Sequence, residues 1–186
     1  MPTSSLNPNE ILSREFEYAA QTAAQANEDR VRVFNYYLAT AGTVIAAVAL
    51  ADTATPGQLT VFALLFAGLS ALGALFALQL VKLRLAWTES VRAMCRIKEH
   101  YAAHAGSPDL ASAFRWSADT IPAPGKKWSV AFLMALTVML LSGACAGAAV
   151  FVAGMAAGGW LIVWAIIAGL VVFAAQVAAW TLFLRK

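Results

Sequence analysis

Residues 58–81, QLTVFALLFAGLSALGALFALQLV, run directly into residues 82–101, KLRLAWTESVRAMCRIKEHY, and this junction decides the fold. The first run has no charged residue. At ~1.5 Å rise per residue it is long enough for a helix to cross a hydrocarbon core of ~30 Å. The second run is basic, yet no Gly or Pro interrupts it before Gly106, so one helix is expected to leave the apolar layer and continue into water. Three further apolar blocks, 33–50, 129–153 and 160–184, are of spanning length.

The cations fix the expected orientation. Arg14, Arg30 and Arg32 precede the first block. Lys82, Arg84, Arg92, Arg96, Lys98, Arg115, Lys126 and Lys127 lie between the second and third, and Arg185 and Lys186 end the chain. These are all thirteen Lys and Arg residues, and none falls in the two remaining connections. Such one-sidedness is the positive-inside pattern. The expected fold is therefore all-α, with four transmembrane helices, both termini cytoplasmic, and the first two helices extended into a cytoplasmic helical layer. The divisions are a cytoplasmic N-terminal helix over 1–32, a first transmembrane hairpin over 33–82, a cytoplasmic segment over 83–127 and a second hairpin over 128–186.

Composition agrees with this class. Hydrophobic residues make up 61% of the 186 and charged residues only 12%, against roughly 25% charged in soluble domains. The net charge of +3 is juxtamembrane and points to anionic lipid headgroups rather than nucleic acid. The first thirty residues lack the pattern of a cleavable signal, which leaves the first span as its own insertion signal. Cys95 and Cys145 fall on opposite sides of a membrane boundary, so no disulfide is expected.

The cytoplasmic segments read as amphipathic helices. Asn7-Pro8-Asn9-Glu10 is a helix start, with Asn7 as cap and Pro8 at the first turn. Leu12 and Phe16 head an apolar stripe that continues through Ala19, Ala20, Ala23 and Ala24. Trp87, Val91, Met94, Lys98 and Tyr101 share one face of the second arm. The stripes need burial, against each other or against neighbouring subunits, and Leu12, Phe16, Trp87, Val91, Met94 and Tyr101 are the expected assembly residues. Ser107-Pro108-Asp109 opens an expected short second helix.

Chemistry is sparse. The centres of the spans carry no Asp, Glu, Lys, Arg or His, which argues against a proton-coupled carrier. Their neutral polar groups, chiefly Gln176, Gln79, Thr43 and Ser142, have two readings, the lining of a narrow pore or interhelical hydrogen bonds. The ordinary frequency of such groups favours the second. Gly143 and Gly147 form a G-x-x-x-G, a weak motif here but fair evidence of close helix packing. Cys95, His100 and His104 invite a metal, but Cys95 lies about 500° around the helix from His100, and a polar helix surface is the simpler account. No nucleophile elbow, phosphate loop, dinucleotide fingerprint or zinc motif occurs, so no enzyme, cofactor or metal is expected.

Two segments carry a resemblance. Asn27-Glu28-Asp29-Arg30-Val31-Arg32-Val33-Phe34-Asn35-Tyr36-Tyr37 enters the first span, and Arg92 to Tyr101 precedes Ser107-Pro108-Asp109-Leu110. Over roughly residues 10–110 the chain resembles SLATT-type and octameric small bacterial inner-membrane proteins, although it adds two spans and has no sensor domain. The resemblance implies oligomeric assembly in the bacterial inner membrane and, less directly, a pore. The function read from sequence is thus a non-enzymatic, homo-oligomeric inner-membrane protein whose cytoplasmic helices assemble or bind a protein partner, with an oligomeric channel as the alternative.

Overall fold

Three of the four helices begin at a side chain that satisfies a free N–H group, and the fourth, which starts after Leu161, has no such cap. The computed structural model describes residues 7–51, 55–104, 114, 116–159 and 161–185. Asn7 accepts from Asn9 N at 3.1 Å through its side chain, and Pro8 opens α1 (Pro8–Ala49). Thr55 and Gln58 cap α2 (Pro56–His104) reciprocally. Gln58 N donates to Thr55 Oγ1 at 3.3 Å and Thr55 N to Gln58 Oε1 at 2.8 Å, a capping box. Ser129 caps α3 (Val130–Ala156) by accepting from Phe132 N at 3.2 Å. Beyond α3 the chain reverses through Gly158, whose φ of +75° suits a residue without Cβ, and Gly159 N returns to Gly154 O at 2.9 Å. α4 (Ile162–Phe183) follows.

The described residues contain these four helices and no strand, and all four are long and apolar enough to cross a membrane. The all-α, four-span architecture read from sequence is therefore the observed one. α1 and α2 are single unbroken helices that extend well beyond their apolar portions. The expected helix opening at Ser107 lies outside the described residues.

The chain divides into two compact units. The first combines Met1–Asp29 with Leu83–Pro124. In it Ala23 of α1 packs on Val91 and Cys95 of α2, with Trp87, Met94, Trp116 and Ile121 around them. Trp87 and Trp116 meet edge to face at 6.1 Å, and the Arg84 guanidinium lies 4.7 Å above the Trp87 ring while its Nε donates to Pro124 O. Lys98 Nζ stands 5.7 Å from the Phe16 ring and 5.5 Å from that of Phe114. Tyr101 Oη donates to Asn9 O at 3.0 Å.

The second unit comprises Arg30–Lys82 and Gly125–Lys186. Small residues let its backbones meet. A Cβ on Gly143 would lie 2.8 Å from Gly169 O, one on Gly147 2.8 Å from Ala165 O, and one on Gly169 2.9 Å from Gly143 O. The G-x-x-x-G of α3 is thus filled by α4 of the same chain. Ala41, Leu69 and Cys145 form a further buried cluster joining α1, α2 and α3.

Candidate functional site

The polar groups of the spans separate into two kinds. Thr43 is exposed on the helical surface, and its hydroxyl donates to Ala39 O of its own helix at 2.9 Å. Thr137 behaves likewise toward Leu133 O at 3.0 Å, and Gln79 is exposed. Ser142 and Gln176, by contrast, are buried and bonded to each other. The structure brings together two of the four singled-out polar residues and leaves Thr43 and Gln79 apart.

The buried set crosses the bundle. Tyr37 of α1, fully buried, donates through Oη to Leu69 O of α2 at 3.4 Å. Ser142 Oγ of α3 donates to Ser70 O of α2 at 2.8 Å. Gln176 Nε2 of α4 donates to Ser142 Oγ at 2.7 Å. Gly73 makes room for the crossing, because a Cβ there would lie 2.6 Å from the Ser142 Cβ and would also strike the Tyr37 hydroxyl. These bonds fix the Gln176 amide by chemistry. Ser142 has one hydroxyl hydrogen and directs it at Ser70 O, so it can only accept from Gln176, and the nitrogen must face it.

That assignment leaves Gln176 Oε1 buried without a donor. One turn further along α4, Trp180 Nε1 is a buried donor without an acceptor. Both side chains line one cavity of about 180 Å³, whose other walls include Ala74, Ala77, Leu78 and Met139. Buried polar atoms nearly always find partners, so these two, both closed to solvent, stand out among the described residues of the bundle. The reading of Gln176 from sequence reached its depth in the span. It did not reach the roles of Trp180, Ser70 or Gly73, which depend on which helix faces which.

The two thiols are free and buried. Cys95 Sγ donates to Trp116 O at 3.6 Å, and burial pushes its thiol above the ordinary range, with Lys98 opposing and Glu99 adding to the shift. Cys145 lies in the cluster with Ala41 and Leu69. His100 and His104 stack with ring centroids 4.3 Å apart on the exposed end of α2. Among the described residues, no three His, Cys, Asp or Glu side chains converge as a metal site would require.

Four apolar helices joined by a buried hydrogen-bonded crossing define a multi-pass membrane protein. The family model for disulfide bond formation protein DsbB matches residues 32–175, most of the chain, and the protein belongs to that family. No curated protein and no solved structure matches.

The family corrects three expectations. The SLATT-type resemblance is set aside, because it rested on an Arg, Asn and aromatic entry into the first span and a long polar helix leaving the second, over roughly residues 10–110. Inner-membrane hairpins share those features generally, whereas the family match extends through three spans and most of the fourth. The non-enzymatic reading falls with it, since the family is one of membrane enzymes that form disulfides. So does the function built on it, an oligomeric assembly protein or channel. The motif search looked for loop, elbow and metal signatures, whereas disulfide formation runs on paired cysteines, and the two cysteines of this chain, Cys95 and Cys145, are free, buried and in different compact units. Family and spans together place the protein in the inner membrane as a multi-pass protein.

Proposed function

We propose that this protein is a membrane oxidoreductase that transfers the electrons of a protein dithiol to a lipid-soluble quinone. The observation that carries the reading is the family match over residues 32–175, and the cavity beside Gln176 and Trp180 supports it. In the reaction, two S–H bonds of the substrate break, one S–S bond forms, and two electrons and two protons pass to the quinone, giving the quinol. The cavity suits a ring in size, since an apolar cavity of ~150 Å³ admits benzene.

The thiols of the chain shape the proposal. Thiol–disulfide exchange needs a thiolate with access to its target. Cys95 is buried and its thiol is pushed toward the protonated form, and Cys145 is packed among apolar side chains. The dithiol that is oxidised therefore belongs to the partner protein, and Cys95 and Cys145 fill space. For orientation, the one-sided cations favour cytoplasmic termini, and a cytoplasm-dependent fluorescent reporter should be bright after Lys186 and dark in the turns at 51–58 and 154–159.

The test uses the full chain in lipid vesicles with a reduced dithiol protein and a short-chain quinone, following thiol loss and quinone absorbance together. Equal consumption of dithiol and quinone, proportional to the protein added and retained in a Cys95→Ser, Cys145→Ala double variant, supports the proposal. A rate no higher than in protein-free vesicles refutes it. Loss of the rate in the double variant would move the exchanging thiol into this chain.

A further inference from the structure

Where α3 begins, the second unit gathers cations from two distant parts of the chain. Gly125 lies against the end of α4, since a Cβ on it would sit 3.2 Å from Leu184 O and 3.6 Å from Leu184 Cβ. Lys126 and Lys127 therefore leave the backbone beside Arg185, and all three residues are exposed. No Asp or Glu occurs in residues 120–186, so the stretch that supplies these cations supplies no carboxylate side chain to them. Among the described residues none of the three enters an ion pair. The start of α3 adds to the same field, because the free N–H groups of a helix N-terminus carry about half a positive charge. The last carbonyls of α4 oppose it, and Arg185 follows them in the chain and offsets them. Trp128, between the lysines and the Ser129 cap, has a φ of +63° and is 81% exposed. A bulky side chain rarely adopts that left-handed conformation. Just inside the cations, Val130 of α3 and Leu182 and Phe183 of α4 are exposed as well. Cations, an amphipathic ring and bare apolar side chains thus follow one another in the order in which a bilayer presents phosphate, interface and acyl chain.

We infer that Lys126, Lys127 and Arg185 form a binding site for the phosphate of an anionic phospholipid, with the Trp128 indole at the interface and the acyl chains along Val130, Leu182 and Phe183. Charge decides the occupant. A zwitterionic headgroup brings its own ammonium, which the three cations repel while they attract its phosphate, whereas a glycerol headgroup brings the phosphate alone. Near a membrane surface each Lys or Arg strengthens attachment to anionic lipid about fivefold. Arg185 offers a planar fork that can take two phosphate oxygens, and the lysines add point charges beside it. Free phosphate meets the same cations without being confined to the membrane surface, so it competes poorly with a lipid held there by its chains. Backbone strain such as that of Trp128 persists only where contacts over-determine it, and lipid supplies them here. A headgroup shared by Lys126, Lys127 and Arg185 ties the start of α3 to the end of α4. Its binding is therefore linked to stability, because a ligand of the folded state alone raises the melting temperature. None of this depends on the oxidoreductase reading.

The experiment titrates the delipidated full chain, in a neutral detergent, with phosphatidylglycerol and with phosphatidylcholine of the same acyl chains. Native mass spectrometry reads the bound lipid, and a thermal melt accompanies each titration. Phosphatidylglycerol should bind about tenfold or more tightly than phosphatidylcholine, and it should raise the melting temperature further. Added salt should shrink the preference. Replacing Lys126, Lys127 and Arg185 together by Gln should bring the two lipids within about twofold of each other, and Lys127→Gln alone should weaken phosphatidylglycerol about fivefold. A matched variant removes the same charge from exposed positions of the first unit, through Arg14→Gln, Arg92→Gln and Arg96→Gln, and should keep the preference. Equal losses in the two triple variants would overturn the site, since net charge alone would then account for the binding. Equal affinity of the two lipids for wild type would overturn it too. Glycerol phosphate, a headgroup without chains, should leave phosphatidylglycerol bound at about a tenfold excess. Displacement would give the cations to a free phosphate ligand and overturn the lipid as occupant.

Discussion

The two compact units each bury one free cysteine, and they hold themselves together by different means. Around Cys95 the partners are large: Trp87, Trp116, Met94 and Ile121, with Lys98 beside Phe16 and Phe114. Around Cys145 lie Leu69, Phe66 and Leu141 as well, but the helices of that unit meet at Gly143, Gly147 and Gly169 in backbone contact and through Ser142 tied to Ser70 and Gln176. The difference follows from the solvent. In water, burying aromatic area is the main driving term. In lipid that term vanishes between helices, and close backbone approach and interhelical hydrogen bonds take over. The amphipathic stretches 8–29 and 83–104 and the apolar spans thus obey two packing rules within single continuous helices.

The largest expected effect breaks the second rule. Gly143→Leu must insert its side chain where a Cβ alone would already lie 2.8 Å from Gly169 O and 3.1 Å from the Phe173 Cβ. Overpacking of this kind costs about 3 kcal/mol, and here the obstacle is backbone, which cannot rotate aside. The melting temperature in detergent should fall sharply. Gly68→Leu is the matched control, because nothing lies within 4 Å of a Cβ there. Equal losses at the two positions would show that glycine contact does not hold α3 to α4.

The next effect tests the first rule. Phe16 is half-buried against Lys98, so Phe16→Ala should lose about 1–2 kcal/mol, less than a fully buried ring would. Glu15→Ala on the exposed face should change little. Thermal melts of both variants in one detergent decide the matter. If Phe16→Ala matches Glu15→Ala, the stripe is not packed in solution.

These two residues also mark what was legible beforehand. Phe16 announced itself by periodicity, since a large apolar group recurring with Leu12 and the alanines on a polar helix must be covered. The four spans were equally plain, because uninterrupted apolar length has a single physical outcome. Gly143 was visible as half of a G-x-x-x-G, but not that Gly169 and Ala165 would fill it. Gln176 stood out by polarity, while its partner Ser142 looked no different from Thr43, whose hydroxyl serves only its own helix. Periodicity reports which face of a helix is apolar, and in a span apolar on every face it reports nothing. The packing of the bundle was therefore hidden where that of the amphipathic stretches was not. The family was hidden too, because charge placement records orientation in the membrane and is shared by unrelated proteins.

A smaller effect concerns the thiol in the aromatic unit. Burial raises the Cys95 pKa, so the folded protein holds that proton to higher pH than the unfolded chain does. The linked stability is fully present below the ordinary thiol pKa of about 8.5 and declines as pH rises through the range up to the folded value. Two measurements should agree. Urea midpoints should drift down above that pH in wild type more than in Cys95→Ser. Alkylation of Cys95 by iodoacetamide at pH 8 should run about tenfold or more slower in the native protein than after unfolding. Rapid native alkylation would expose the thiol and reopen its candidacy as a redox group.

The smallest effect belongs to the end of α1. Arg14 Nη2 lies 3.1 Å from Glu10 Oε1, an ion pair of ideal i, i+4 spacing, and both side chains are well exposed. Water screens the attraction, and ordering two long side chains opposes it, so such pairs contribute about 0.3–0.5 kcal/mol. Glu10 also sits in the first turn, where a carboxylate favours the helix dipole. Glu10→Gln removes the charge while keeping the shape, and should lower stability by no more than about 1 kcal/mol, with the difference shrinking at high salt. A loss as large as that of Phe16→Ala, or one indifferent to salt, would mean that the start of α1 is held by charge rather than by its apolar stripe, and the contrast between the two units would have to be redrawn around electrostatics.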